Sequence, residues 1–228
     1  MKVAVLGTGI VGQTLAAALA SKGHEVMIGT RDVAKSAAST EPNAFGMPPF
    51  GVWHQHHRNI RLGNFAEAAA FGDLLVNASN GAASLAVLRE AKSQALGNKI
   101  LIDVANDLDF SKGMPPVTRV SDEPGAGLAE RIQAAYPNLR VVKTLNTMNA
   151  FVMLNPGLVD GGDSTVFMSG DDAAAKQTVH ELLASFGWKD IMDLGGIATS
   201  RAVEMLLPLW LTAFGVLGRT PYNFKVVR

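Results

Sequence analysis

A glycine-rich turn between a short apolar strand and an alanine-rich helix constrains the fold more than any other feature. Residues 2–6 read Lys-Val-Ala-Val-Leu, which is typical of a buried parallel strand. The turn places Gly7, Gly9 and Gly12 in the spacing G-x-G-x-x-G, and a second apolar strand follows over residues 23–31. In this setting the first glycine permits the tight turn, the second lets the backbone approach a pyrophosphate, and the third lets the helix pack on the strand. The pattern predicts a dinucleotide-binding α/β unit; the alternative is a βαβ unit whose glycines serve packing only.

The end of the second strand predicts which dinucleotide binds. An NAD site usually has Asp or Glu there, whereas this chain has Thr30 and Arg31, with Lys35 one helical turn further on. A hydroxyl, a guanidinium and an ammonium all favour a 2′-phosphate, which a carboxylate would repel. Asp32 is interpreted as the N-cap of the next helix, although it is also a rival ribose ligand. We therefore expect NADP(H), the alternative being that these cations lie on a solvated helix start.

Composition excludes several classes of function. The chain has 228 residues, of which 48% are apolar and 18% charged, so a substantial core is expected. A formal net charge of +0 argues against a general nucleic-acid binder. The chain has no cysteine, which excludes disulfides, thiolate catalysis and cysteine zinc sites and fits a cytoplasmic protein. Neither a signal peptide nor a membrane-spanning stretch is expected.

Polar residues follow two further predicted strands, at the point where each strand ends. Because ligands of parallel sheets gather at the carboxyl ends of strands, both loops should lie on the dinucleotide side. Asn77, Ala78 and Ala105 are predicted to lie along the path from adenosine to nicotinamide, with Asn106 further in. The alternative for each residue is ordinary turn chemistry, for which Asn and Ser are well suited.

A third polar cluster, residues 144–149, follows the strand that ends near Lys143 and is the best candidate for a substrate cavity wall. Lys143 itself is a candidate proton donor, because the pKa of lysine moves readily on burial. The rival interpretation, which we favour, is an anion-pairing or structural lysine at a strand end.

An irregular insertion is predicted over residues 41–59, where Pro, Gly and Asn break the pattern. It carries His54, His56 and His57 within four residues and no neighbouring carboxylate. Metal ligands usually come from separate elements with further supporting residues, so a solvated or substrate-covering loop is favoured over a metal site.

The fold class expected is α/β, with a Rossmann-like, doubly wound and mostly parallel sheet. We expect residues 1–150 to form the NADP-binding domain, and residues 151–228 to complete the sheet and contribute to the substrate pocket or a dimer interface. The C-terminal part ends in a helix, from about residue 199 to 217, that is apolar nearly all round. Such a helix is buried in a core or against a partner chain. The final residues are expected to add an edge strand or to dock onto the body.

Several motifs beyond the glycine turn carry a family resemblance over almost the whole chain. They are Gly7–Gly12, Gly29–Arg31 with Lys35, Val142–Thr147, Ser169–Asp172, Asp193–Gly195 and Ser200–Pro208. With these motifs the chain resembles the F420-dependent NADP oxidoreductase family, and it is also similar to the NADPH-oxidising domain of the STEAP metalloreductases.

The resemblance implies a homodimer in which hydride passes directly between NADPH and a flavin or deazaflavin such as F420, FMN or FAD. It implies that Thr8, Gly9, Ile10 and Val11 hold the pyrophosphate, and that Asn146, Thr147 and Met148 face the second ring system. Asn77, Ala78 and Ala105 would line the nicotinamide ribose.

Two other functions stay open at this point. One is an NADPH-dependent reductase of a small imine or carbonyl that uses Lys143 as its proton donor. The other is a non-enzymatic NADPH-sensing module that presents its apolar C-terminal helix to a partner. In the leading hypothesis, hydride transfer from NADPH, the partner is a small-molecule redox acceptor, and a ferric chelate is a further candidate for that acceptor.

Overall fold

The computed structural model describes residues 1–42 and 48–228. Its strands include an eight-stranded, mostly parallel sheet flanked by helices, which confirms the predicted Rossmann-like α/β class. The chain divides into two compact units, Met1–Leu101 and Ile102–Arg228. The functional division near residue 150 stays a prediction.

The first unit is built around its N-terminal strand. Its elements are β1 Lys2–Leu6, α1 Ile10–Ser21, β2 Glu25–Thr30, α2 Val33–Ala37, α3 Phe50–Gln55, β3 Arg61–Asn64, α4 Phe65–Phe71, β4 Leu74–Asn77, α5 Ser84–Ala91 and α6 Ser93–Leu96. Strand β1 pairs in parallel with β2 on one side and β4 on the other, and β3 pairs in parallel with β2. Residues 3–6 are fully buried, as expected for a central strand.

The second unit contains the remaining elements, and β5, Ile100–Asp103, lies across the unit boundary. They are β6 Leu108–Asp109, β7 Val117–Thr118, α7 Leu128–Ala135, β8 Arg140–Thr144, α8 Ala150–Leu154, β9 Thr165–Ser169, α9 Ala173–Ser185, β10 Asp190–Asp193 and α10 Ser200–Val216. Strand β9 is antiparallel to β8 and parallel to β10. The short strands β6 and β7 pair with each other in antiparallel orientation.

Side-chain caps fix three of the helix starts, and that of Asp32 confirms the predicted N-cap. Asp32 accepts a hydrogen bond from the amide of Lys35, and Asp172 caps α9 in the same way. Asn64 and Glu67 form a reciprocal capping box at the start of α4. Each cap satisfies a first-turn amide that has no partner within its helix.

Helix α1 begins at Ile10, so Gly12 lies in its first turn. Glycine disfavours a helix interior. A Cβ at Gly12 would lie 2.2 Å from the carbonyl oxygen of Gly7, so only glycine fits this first turn. Close packing of the turn outweighs the weak propensity.

The predicted irregular insertion is partly wrong, because residues 50–55 form helix α3. Residues 43–47, which the same prediction covered, lie outside the described residues. The helix is held by its aromatic side chains. Phe50 is buried, and the Trp53 ring stacks on the His57 ring at a centroid distance of 4.2 Å. Aromatic packing of this kind stabilises a short helix that weak propensity alone would leave unformed.

Helix α10 buries one side and exposes the other. Val203, Leu207 and Trp210 are buried, whereas Met205 and Leu209 are 41% and 56% exposed. In residues 1–42 and 48–228, no helix has both the length and the apolar character needed to cross a bilayer.

The C-terminal tail docks onto the second unit and forms no strand. The phenol of Tyr222 donates to the carbonyl oxygen of Trp210, and its ring stacks on the Trp210 indole. The backbone of Thr165 donates to the carbonyl oxygen of Phe224. Burial raises the pKa of Tyr222 to about 12. Of the two outcomes expected for this segment, the structure therefore has the docked tail.

Candidate functional site

The glycine turn after β1 is closed by hydrogen bonds and by close backbone contacts. Gly7 has a φ of +132°, and a Cβ there would lie 2.5 Å from the carbonyl oxygen of Ala78. The side chain of Gln13 donates to the carbonyl oxygen of Thr8 at 2.9 Å, which fixes the turn from within α1. The turn therefore has the tight geometry that the G-x-G-x-x-G spacing predicts.

Open space lies in front of this turn, where a phosphate group would have to fit. Gly9 is the N-cap of α1, it is extended, and a Cβ built on it meets no atom within 4 Å. No side chain of the described residues caps the helix. The first-turn amides, which include those of Ile10 and Val11, have no partner within the helix and carry its positive dipole end. This arrangement fits a pyrophosphate.

The strand β4 brings Ala78 to the same turn, but the neighbouring Asn77 side chain points elsewhere. The amide of Ala78 donates to the carbonyl oxygen of Leu6 at 3.1 Å. The Asn77 side chain is fully buried, donating to the hydroxyl of Ser84 and accepting from Ser79. Turn chemistry therefore accounts for the Asn77 side chain, and Ala78 has the backbone next to the glycines.

A second cluster lies just beyond β2. The hydroxyl oxygens of Thr30 and Ser36 are 2.7 Å apart. Arg31 is exposed and lies 3.7 Å from a carboxylate oxygen of Glu90, a distance that leaves its guanidinium available to an anionic ligand. Lys35 follows on α2 and is also exposed. A 2′-phosphate bound here would meet hydroxyl donors and two cations.

Lys35 and Ser36 of this cluster line a pocket of about 490 Å³ in the first unit. Hydroxyl side chains are prominent in its lining, together with one cation, one carboxylate and one aromatic ring. The lining residues are Thr8, Lys35, Ser36, Ala38, Ser39, Thr40, Glu41 and Phe50. The sequence analysis did not predict that Ser36, Ser39, Thr40 and Phe50 line a pocket. The signal that could have indicated it is the presence of three hydroxyl residues within five positions after Lys35.

The predicted residues of the second unit are also brought together. The Asn106 side chain donates to the carbonyl oxygen of Asn146 at 2.8 Å, and the Asn146 side chain donates back to the Asn106 amide oxygen at 3.1 Å. Thr147 and Met148 follow and are buried. The turn between β8 and Asn146 depends on Leu145, which has a φ of +63°. A left-handed leucine costs about 1–3 kcal/mol, so packing must hold this corner in place.

Lys143, the last but one residue of β8, is fully buried between two carboxylates. Its ammonium lies 2.9 Å from Asp103 and 3.0 Å from Glu204, and it also donates to the carbonyl oxygen of Ala105. These three acceptors use all three donors of the ammonium group. Glu204 in turn accepts from the amides of Leu128 and Ala129 at the start of α7. Sequence reasoning missed both carboxylates, although each interrupts an apolar segment.

The electrostatics of this network keep the lysine charged. Burial by itself would lower the pKa of Lys143, but the charges of Asp103 and Glu204 and the hydrogen bonds to them outweigh burial, and the pKa is raised. A group that holds its proton more tightly than usual is a poor proton donor at neutral pH. The geometry therefore favours the anion-pairing interpretation of Lys143 over the catalytic one.

The three histidines of the insertion make contacts within their own segment. Ring nitrogens of His54, His56 and His57 lie 2.8–2.9 Å from backbone carbonyl oxygens. No group of three or more metal-ligating side chains occurs in residues 1–42 or 48–228. These bonds explain the histidines as structural groups of α3 and the turn that follows it.

A further open cavity of about 580 Å³ lies in the second unit beside α7. Its acidic side chains already have partners: Glu130 binds Arg201, Asp171 accepts from the amide of Ile197, and Asp172 caps α9. The cavity therefore offers no unsatisfied charge that would mark it as a catalytic site.

Replacing Lys143 with methionine should destabilise the protein strongly, because it leaves two buried carboxylates facing each other. Loss of one partner of a buried ion pair costs about 3–5 kcal/mol. Since the pKa of Lys143 is raised in the folded protein, its contribution to stability is complete below the ordinary lysine pKa and is lost only as the pH rises through the folded value. Urea unfolding of Lys143→Met at neutral pH measures the loss.

The matched control is Lys225→Met, because Lys225 is exposed and pairs with the exposed Asp163 and, at 3.6 Å, with Asp190. Exposed ion pairs contribute little to stability. Equal losses in the two variants would contradict the role assigned to the buried network.

Comparison with known proteins agrees with this architecture. Residues 2–107 match the family model described as NADP oxidoreductase, coenzyme F420-dependent. A crystal structure from Arthrobacter sp. FB24, described as a candidate F420-dependent NADP reductase, is 52% identical, covers all of both chains and has a TM-score of 0.94.

Two curated proteins are more distant. An F420-dependent NADP reductase from Methanothermobacter marburgensis is 27% identical over 92% of this chain and 90% of its own length. Metalloreductase STEAP3 from Rattus norvegicus is 29% identical over 92% of this chain, which spans only 38% of that protein.

The predicted resemblance is thus confirmed by a relative that is half identical over its full length and by a model that covers the glycine turn and the strands after it. The chain belongs to the F420-dependent NADP oxidoreductase family.

Proposed function

We propose that this chain transfers hydride between NADP(H) and a deazaflavin acceptor of the F420 type. As a member of its family the chain is an NADP-dependent oxidoreductase. The finer statement, that a deazaflavin ring is the acceptor and receives the hydride directly, is our proposal. FMN, FAD and ferric chelates are the other acceptors that the test below includes.

The observation that carries the proposal is the glycine turn and the cationic cluster in one unit. Open space at Gly9 lies before the uncapped end of α1, while Thr30, Arg31 and Lys35 follow β2. Amide groups and a helix dipole suit the pyrophosphate, and two cations with a hydroxyl suit the 2′-phosphate. Together they select NADP(H) over NAD(H) without a carboxylate at the strand end.

The residues of the chain serve binding and alignment in this proposal. When bound, NADP(H) and the acceptor supply the redox chemistry themselves, and the protein contributes position, electrostatics and exclusion of water. Asn106 and Asn146 hold each other through two hydrogen bonds, so their loops form a fixed edge in the second unit. Thr147 and Met148 come next in the chain. We propose that the acceptor ring binds beside Asn146, Thr147 and Met148. Hydride transfer between rings requires no side-chain nucleophile.

A reductase of imines or carbonyls would need a proton donor that reaches its substrate. Lys143 is fully buried and all three of its donors are bonded to protein. This geometry supports the deazaflavin proposal over the imine alternative, because no proton of Lys143 is free to meet a substrate.

The acceptor is tested by following NADPH oxidation against F420, FMN, FAD and a ferric chelate in parallel. We expect turnover with F420 to exceed turnover with each other acceptor by about tenfold or more, since differences of a few hydrogen bonds correspond to such factors. Tight NADPH binding with no turnover on any acceptor would instead favour the sensing module.

Arg31→Glu should weaken NADPH much more than NADH. A charge-assisted contact to the 2′-phosphate contributes about 1.5–3 kcal/mol, so the dissociation constant for NADPH should rise about 10- to 100-fold. Calorimetric titration with both dinucleotides measures the change.

Arg61→Glu is a matched control, because Arg61 is also exposed and also lies 3.7 Å from a carboxylate. It should leave both affinities unchanged. Equal weakening of NADPH and NADH by Arg31→Glu would show that Arg31 does not bind the phosphate.

We also propose a homodimer that covers the exposed side of α10. Met205 and Leu209 present large apolar side chains there, although the opposite side of the helix is buried. A contiguous apolar surface of this kind favours association. A second copy of the chain is the partner that the resemblance implies.

Leu209→Glu should therefore shift the protein to a monomer, because association would bury an unpaired carboxylate. Sedimentation velocity at micromolar concentration measures the state of wild type and variant. A wild-type monomer under these conditions would contradict the proposal, and Val227→Glu, at an exposed position of the tail, serves as the control.

A further inference from the structure

We propose that helix α3 is a specificity element for the phosphorylated ribose of NADP(H). In this proposal Gly51 and Phe50 hold the end of α2 and the turn after it in the position where the hydroxyl groups of Ser36, Ser39 and Thr40 bind the 2′-phosphate. The proposal rests on the function proposed above, since it takes NADP(H) as the ligand.

Gly51 lets α3 approach the end of α2 more closely than any other residue would. A Cβ at Gly51 would lie 2.5 Å from the carbonyl oxygen of Ala37 and 2.6 Å from that of Ser39. Both atoms belong to backbone, which cannot move aside as a flexible side chain does. Gly51 itself is buried and has no positive φ, so the requirement for glycine here is one of space.

The rest of α3 is anchored firmly enough to keep this contact. Phe50 is only 6% exposed and stacks against the His54 ring at a centroid distance of 5.7 Å. His54 also bonds to the carbonyl oxygen of Ile60, just before β3, at 2.8 Å. The helix therefore lies against the turn after α2 through Gly51 and is bonded to the residue before β3 through His54.

The side of the turn that faces the pocket has the chemistry of a phosphate site. Ser36, Ser39 and Thr40 line the pocket with Thr8 and Lys35, and Phe50 forms part of the same lining. The lining also includes one carboxylate, that of the exposed Glu41, and the hydroxyl groups outnumber it. Hydroxyl groups donate to phosphate oxygens, and an ammonium adds charge. The Ser36 hydroxyl lies 2.7 Å from that of Thr30, so it reaches the place assigned to the 2′-phosphate. These serines and Thr40 were not assigned any role by the sequence patterns.

The test compares Gly51→Ala with Gly215→Ala, a glycine of α10 whose added Cβ would meet nothing within 4 Å. Adenosine 2′,5′-bisphosphate and 5′-AMP are the probes, because they differ only in the 2′-phosphate. Calorimetry gives the two dissociation constants, and thermal melting gives the stability of each variant. No turnover is needed.

Gly51→Ala should weaken adenosine 2′,5′-bisphosphate about tenfold, which corresponds to the loss of one hydrogen bond to a charged group. It should change the 5′-AMP constant less than twofold, and Gly215→Ala should change neither. An unchanged constant for the bisphosphate, or an equal loss for both probes, would overturn the proposal.

Ser36→Ala and Phe50→Leu keep the test decisive if Gly51→Ala does not fold. Ser36→Ala should weaken the bisphosphate three- to tenfold and spare 5′-AMP, since it removes one hydroxyl. Phe50→Leu should do the same through the turn, and no selective loss in either variant would overturn the proposal. If wild type does not prefer the bisphosphate to 5′-AMP, the proposed function has failed, and that result is distinct from a failure of α3.

Discussion

One buried ammonium group holds the second unit together. Lys143 satisfies Asp103, Glu204 and the carbonyl oxygen of Ala105, so it connects β8, β5 and α10 at a single point. Two carboxylates around one cation leave a net negative charge, which the amides of Leu128 and Ala129 offset at the positive end of α7. The loops after β5 and β8 start from this point, and the position of the asparagine pair to which we assign the acceptor depends on the spacing of these loops. Burial makes the network intolerant of any missing partner.

Three glycines allow close backbone contacts in the first unit. Gly7, Gly12 and Gly51 each occupy a place where a Cβ would overlap a backbone oxygen. Gly7 lets the loop after β4 approach the turn, Gly12 lets α1 start directly behind β1, and Gly51 lets α3 close on the turn after α2. Close backbone approach thus shapes both ends of the proposed dinucleotide site, one for the pyrophosphate and one for the phosphorylated ribose. Polar side chains such as Thr30 and Ser36 then supply the chemistry.

Much of the fold could be predicted from the sequence, because the residues that start a turn or helix lie close in the chain to the apolar segments that become buried. The glycine spacing, the apolar strands and the caps Asp32, Asn64 and Asp172 all have short-range causes. Helix α3 could not be predicted in this way, since its stability comes from ring stacking and from contact with residues 37 and 39. In the candidate site the cationic residues were accessible to sequence reasoning. The carboxylate partners of Lys143 were not, because they lie 40 and 61 positions away in the chain.

The left-handed corner at Leu145 has a consequence for engineering this scaffold. Its buried side chain fixes where β8 stops and how the following loop departs, in spite of the unfavourable φ of +63°. Lengthening or shortening the chain by one residue at this corner would rotate every later side chain of the loop away from its present direction. Residues 121 and 122 are exposed and neither has a positive φ. Grafted peptides and extra residues belong there, and redesign of the proposed acceptor edge is better done by exchanging side chains on an unaltered backbone.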